Sequence, residues 1–121
     1  MTFDEMLHAV RRVHEQRHFR QNGGEDAAWR IALMAEELGE ISGAITKGRG
    51  DLGEEHADLL ILLLGNAVAF DLDLEAAFWR KVRILGRYRT STRDGRVRLI
   101  SRPLRTRARQ RNESLNRKSG R

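Results

Sequence analysis

The 121-residue chain has no cysteine, so it can form neither a disulfide nor a thiolate metal site, and a reducing cytoplasm is its expected compartment. Proline occurs once and aromatic residues make up only 6% of the chain, a balance that suits a small helical protein better than a β-sandwich. Long hydrophobic runs are also missing. The longest, Leu59 to Phe70, is broken by Gly65 and Asn66 and is too short to span a bilayer. The first twenty residues carry charge throughout and offer no apolar core for a secretory signal. These absences predict a soluble cytoplasmic protein with no membrane contact and one modest core.

Acidic residues are scarce toward the C-terminus. Of the 23 basic and 17 acidic residues, 12 basic and 2 acidic ones fall from Arg89 onward, leaving 11 and 15 before it. The overall +6 therefore divides into a body near −4 and an extension near +10. Residues 1–88 read as one helical domain and 89–121 as a basic C-terminal extension. Such an extension is either a solvated tail or a non-specific nucleic-acid contact.

Four helices are legible in the body. Thr2-Phe3-Asp4-Glu5 is a capping box, and Phe3, Met6, Leu7, Val10 and Val13 then recur at helical spacing, predicting a first helix to about Arg20. Asn22-Gly23-Gly24 breaks it. A second helix is expected from about Asp26 to Lys47, closed by Gly48 and Gly50, and a third from Asp51 to about Phe70. Asp73 caps a fourth, expected to reach about Tyr88. Asp94-Gly95, flanked by Thr90, Thr92 and Val97, marks a short hairpin over 88–100, and the stretch from Leu104 is expected to be mobile. The fold class predicted is all-α, an antiparallel helical bundle with a short C-terminal β-hairpin. The third helix is apolar nearly all round, so it needs cover on every side. A second copy of the chain supplies that most simply, and a homodimer or homotetramer is expected.

Two acidic clusters lie against the most hydrophobic segments. On a wheel of about 100° per residue, Met34, Leu38, Ile41 and Ile45 define the expected apolar centre of the second helix, with Glu37 and Glu40 on its flank. Glu55 and Asp58 likewise share a face on the third helix with Leu62. Four carboxylates meeting between two helices repel one another, and burying an unpaired ion costs several kcal/mol. Shifted protonation or a hard cation relieves this. With neither Cys nor His at matching spacing, an all-oxygen set selects Mg²⁺, with Mn²⁺ as a substitute.

The pair Glu37-Leu38-Gly39-Glu40 and Glu55-His56-Ala57-Asp58 resembles the signature of the MazG-like all-α nucleoside triphosphate pyrophosphohydrolases, Glu-x-x-Glu followed after a spacer by Glu-x-x-Asp. The wording around it, "EELGEI", "EEHADLLILLL" and "DLDLEAAFWRK", is similar too, and the likeness covers about residues 17 to 88. It implies Mg²⁺-dependent hydrolysis of a nucleoside triphosphate to the monophosphate and pyrophosphate, with Glu37, Glu40, Glu55 and Asp58 holding the metal. It also implies Lys81 as a phosphate ligand and a region around His18, Phe19 and Trp29 that contacts the base. The family's asparagine one turn after that lysine is Leu85 here.

The remaining candidates follow from charge and position. Glu37 or Glu40 could accept the proton of the attacking water. Lys47 and Arg49, in the turn joining the acidic helices, and Arg80, Lys81, Arg83 and Arg87 are the cations available to the departing pyrophosphate. A di-iron bundle would need Glu-x-x-His on two helices, whereas Glu5-x-x-His8 and Glu15-x-x-His18 both lie on the first. A nucleic-acid-binding protein working through residues 89–121 is the second alternative. Tyr88 is the only nearby ring for stacking, so that role would be sequence-independent.

Overall fold

Thr2 opens the first helix with the expected reciprocal cap. Its hydroxyl accepts from Glu5 N at 3.2 Å while Glu5 Oε2 accepts from Thr2 N at 2.6 Å. The computed structural model describes residues 1–101. Within them run α1 (Phe3–Gln16), α2 (Ala27–Lys47), α3 (Leu52–Ala69), α4 (Leu74–Leu85), β1 (Arg89–Arg93) and β2 (Arg96–Ile100). The chain expected to be mobile from Leu104 lies outside the described residues. The helical class and the hairpin are both present, and among the described residues no helix is long and apolar enough to cross a membrane.

The structure divides into two units, Met1–Ala77 and a second from Phe78 onward. In the first, α3 is the central element, packed by α1 and α2. Val10 from α1 meets Leu64 and Val68 from α3, and Phe3 and Leu7 close over them. Leu64 is 2% exposed, a burial that contributes roughly 2 kcal/mol. Asp51 caps α3, its Oδ1 accepting from Glu54 N at 3.0 Å, and Gly48 (φ 62°) closes α2 in the left-handed region.

Three expectations need correction. First, α1 ends at Gln16, four residues short of Arg20. His18 turns into the left-handed region (φ 52°), Phe19 N bonds back to His14 O at 3.0 Å, and the Phe19 ring lies 4.6 Å from the His14 ring. A continued helix would carry Phe19 about 140° round from His14, so this contact and the longer helix exclude each other. Second, α4 stops at Leu85, where Gly86 and Tyr88 close tight turns to Val82 and Leu85.

Third, the inner face of α2 is rotated from the expected stripe. Ile41 is buried and Met34 half-buried, but Leu38 and Ile45 are 59% and 67% exposed. The residues turned inward are Arg30, Leu33, Met34, Glu37, Ile41 and Ala44. Arg30, only 2% exposed, sets this rotation. Its Nε donates to Asn66 Oδ1 at 2.6 Å, Nη1 to Gly24 O at 3.1 Å and Nη2 to Leu62 O at 2.9 Å. Three charge-assisted bonds outweigh the pull of two aliphatic side chains toward the core.

In the second unit Phe78 and Trp79 on α4 pack edge-to-face with ring centroids 5.2 Å apart, both half out in solvent. The hairpin turns at Asp94 (φ 52°) and Gly95 (φ 71°), the paired left-handed residues of a type I′ turn, with Arg93 opposite Arg96.

Candidate metal centre

Glu37 reaches inward from the middle of α2, and Glu55 and Asp58 project from the first two turns of α3. Because the α2–α3 connection is short, Arg30 at the start of α2 meets Leu62 and Asn66 late in α3. The antiparallel register this fixes brings Glu37 opposite Glu55 and Asp58. One carboxylate oxygen from each of the three lies within 4.8 Å of the other two. Glu37 and Glu55 are half-buried and Asp58 is exposed at the rim.

Electrostatics at this point are unfavourable to three ionised groups. Partial burial, then the charges of Asp58, Glu55, Glu36 and Glu40, push the Glu37 carboxyl up from its ordinary value. Among the described residues the ion pairs are His14–Glu25 and Arg20–Glu25, and no basic side chain pairs with Glu37, Glu55 or Asp58. Gly50 (φ 77°) leaves room for Glu55: a Cβ there would lie 2.7 Å from Glu55 Oε1. The donor set fits a hard divalent cation. Three carboxylate oxygens all within 4.8 Å of one another are near enough to share one such ion.

The other residues singled out in the sequence fall elsewhere. Glu40 is exposed one turn beyond Glu37 and is not among the three that converge, while Glu36 points outward. Lys47 is exposed at the end of α2, and Lys81 and Arg87 are exposed in the second unit. Trp29 is 54% exposed in the first turn of α2, its backbone N–H donating to Asp26 Oδ2 of the cap at 2.9 Å. His18 is exposed. Phe19 is half-buried against His14 and against Gly24, where an added Cβ would come within 2.8 Å of its ring.

A second polar cluster escaped the sequence reading. His14, 6% exposed, places Nδ1 3.2 Å from Glu25 Oε1, and Arg20 Nε donates to Glu25 Oε2 at 3.0 Å. Burial alone would raise the Glu25 carboxyl. The hydrogen bonds and charges of Arg20 and His14 outweigh it and hold the group below its ordinary value. Burial also lowers the Arg30 guanidinium, opposed by the charge of Glu25. Gly65 and Asn66, the polar break in the aliphatic run of α3, were the signal for this cluster. Arg30 Nη2 lies where a Cβ on residue 65 would sit, and Asn66 receives the Nε bond.

In comparisons with known proteins, no family model, curated protein or solved structure matches the chain.

Proposed function

We propose that the protein is a Mg²⁺-dependent nucleoside triphosphate pyrophosphohydrolase, releasing the monophosphate and pyrophosphate. The observation that carries this reading is the convergence of Glu37, Glu55 and Asp58 between α2 and α3 without a basic partner among the described residues. Together with the spacing of the two acidic motifs, it matches what the resemblance leads one to expect of this chemistry.

In this reading Glu37, Glu55 and Asp58 hold the ion. When bound, Mg²⁺ neutralises the triphosphate, orients it and lowers the pKa of a coordinated water. The Glu37 carboxyl is pushed up from its ordinary value in the metal-free cluster, so protons would compete with a bound ion and metal affinity should fall toward acid pH. Glu40 lies outside the ligand set one helical turn away, a position from which an ionised carboxylate takes the proton of the attacking water. Lys47, at the end of the same helix, supplies positive charge for the departing pyrophosphate. A second copy covers the outer apolar side chains of α2 and α3, among them Ile31, Leu38, Ile45 and Ile61, all more than half exposed.

A panel of nucleoside triphosphates with Mg²⁺, scored for pyrophosphate against orthophosphate, tests the activity. Pyrophosphate release that disappears in Asp58→Asn with helical content intact is the expected result. Orthophosphate alone, or unchanged turnover in the variant, refutes the assignment. Light scattering coupled to size exclusion tests the assembly, which should exceed the 13.9 kDa of one chain.

A further inference from the structure

The hairpin sorts its side chains by chemistry. In an antiparallel pair, directly opposed residues share a face and successive residues alternate. The register Arg89↔Ile100, Ser91↔Arg98 and Arg93↔Arg96 therefore gathers four arginines, a serine and an isoleucine on one face. The pairs Thr90↔Leu99 and Thr92↔Val97 occupy the other. Every residue of both strands is exposed.

The arginine face is poorly explained as a solvated surface. Arg93 and Arg96 stand directly opposite each other beside the turn, an arrangement of like charges that weakens a sheet. Among the described residues none of the four arginines is paired with a carboxylate. An external polyanion would relieve this repulsion. Its type is narrowed by what the hairpin contains. No aromatic residue occurs between Arg89 and Ile100, so the ribbon has no platform on which unpaired bases could stack. The opposite face offers only Val97 and Leu99 between two threonines, too little apolar surface to enter a bilayer. A two-stranded ribbon does fit the major groove of B-form DNA, about 12 Å wide, whereas the major groove of A-form RNA is too narrow.

We propose that the arginine face of β1–β2 binds duplex DNA, lying along the groove with Arg89, Arg93, Arg96 and Arg98 on phosphates. Guanidinium contacts to phosphate position the ribbon and carry no sequence information, so binding is sequence-independent. This goes beyond the hydrolytic reading and stands or falls without it.

The test uses the full chain and fluorescence anisotropy across a salt series. The probes are a labelled 20-base-pair duplex of mixed sequence, one of its single strands, and phosphatidylcholine vesicles containing phosphatidylglycerol. Each phosphate contact contributes about 0.9 to the slope of log K against log salt on duplex DNA. The triple variant Arg93→Thr/Arg96→Thr/Arg98→Thr, which keeps strand-forming residues, should bind the duplex with a slope shallower by about 2.7. The corresponding triple Lys variant, and Thr92→Ala on the opposite face, should keep the parent slope. An unchanged slope in the Thr variant overturns the proposal and assigns any binding to other basic residues. Tighter binding to the single strand or to the vesicles than to the duplex overturns it as well. Circular dichroism of the Thr variant guards against unfolding, and if it does unfold, the single variants Arg93→Thr and Arg98→Thr keep the result decisive, each expected to make the slope shallower by about 0.9 and each overturning the proposal if it leaves the slope unchanged.

Discussion

Arg30 Nε donates to Asn66 Oδ1 across 2.6 Å, tying the first turn of α2 to the last turn of α3. This contact lies at the opposite end of the helix pair from Glu55 and Asp58, yet it sets which face of α2 is turned inward. Glu37 is two turns along from Arg30 on that same face. The buried guanidinium and the acidic cluster are therefore coupled through the rotation of one helix.

Replacing Arg30 should be severe. Arg30→Met leaves Gly24 O and Asn66 Oδ1 without the guanidinium donor and takes from Leu62 O its second one, and each buried acceptor left unpaired costs about 1–3 kcal/mol. Arg30→Lys keeps the charge but offers a single donor centre in place of a planar fork, so it should recover little of this. Urea midpoints at neutral pH measure both. Gly65→Ala should be comparably harmful, because its methyl group claims the space of Arg30 Nη2. The double variant Arg30→Met/Gly65→Ala should lose clearly less than the sum of the two, since the collision is absent once the guanidinium is gone.

Acid should weaken the same end of the protein. The folded-state Glu25 carboxyl is held below its ordinary value, so its ionised form stabilises the fold above about pH 4.5. That contribution is lost as pH falls through the lower, folded-state value. Glu25→Gln removes the charge at every pH and should cost about 1–2 kcal/mol at pH 7. The gap between the parent and the variant should close below pH 4. A gap that persists undiminished to pH 3 would contradict the charged contacts to Arg20 and His14.

The helices, the capping box, the Asp51 and Asp73 starts and the hairpin turn were legible because each depends on neighbouring residues. Asp73, for instance, caps α4 by accepting from Ala76 N at 3.0 Å, within a single turn. Which face of α2 turns inward was not legible in the same way. A hydrophobicity wheel ranks Leu38 and Ile45 above an arginine, and only a partner 36 residues away reverses that order. Glu37, Glu55 and Asp58 were marked by their spacing, whereas Glu40, marked by the same spacing, is exposed and lies outside the three that converge. The early end of α1 was hidden for a related reason. His14 and Phe19 meet only when the helix stops.

Glu37 should reveal the cluster by the sign of its effect. A carboxyl pushed up in the folded state favours folding while protonated, and that stabilisation is lost as pH rises through its folded-state value. In metal-free buffer at neutral pH, Glu37→Gln should therefore melt higher than the parent, with the advantage shrinking as the solution is acidified. Adding Mg²⁺ should reverse the order. At one hundred times its dissociation constant a bound ligand adds about 2.7 kcal/mol to stability, which the parent should gain and the variant largely miss. Asp58→Asn should also miss it, whereas Glu40→Gln, outside the converging set, should keep most of it. Differential scanning calorimetry with and without Mg²⁺ distinguishes these outcomes, and an equal response in all four proteins would remove the metal assignment.

Gly50 offers a way to disturb the cluster without touching a carboxylate. It sits at φ 77° in the α2–α3 connection, and a Cβ there would meet Glu55 Oε1 at 2.7 Å. Gly50→Ala has two consequences that separate experimentally. The left-handed backbone conformation costs a non-glycine residue about 1–2 kcal/mol, which appears as a lower urea midpoint whether or not metal is present. The methyl group also drives the Glu55 carboxylate from its place beside Glu37 and Asp58, which appears as a smaller Mg²⁺-dependent rise in melting temperature. Gly48→Ala serves as the control. It carries the same backbone penalty at φ 62° but meets nothing within 4 Å, so it should lose stability and keep its response to Mg²⁺. If both variants respond to Mg²⁺ as the parent does, Glu55 is not a ligand, and the ion, if it binds, is held elsewhere.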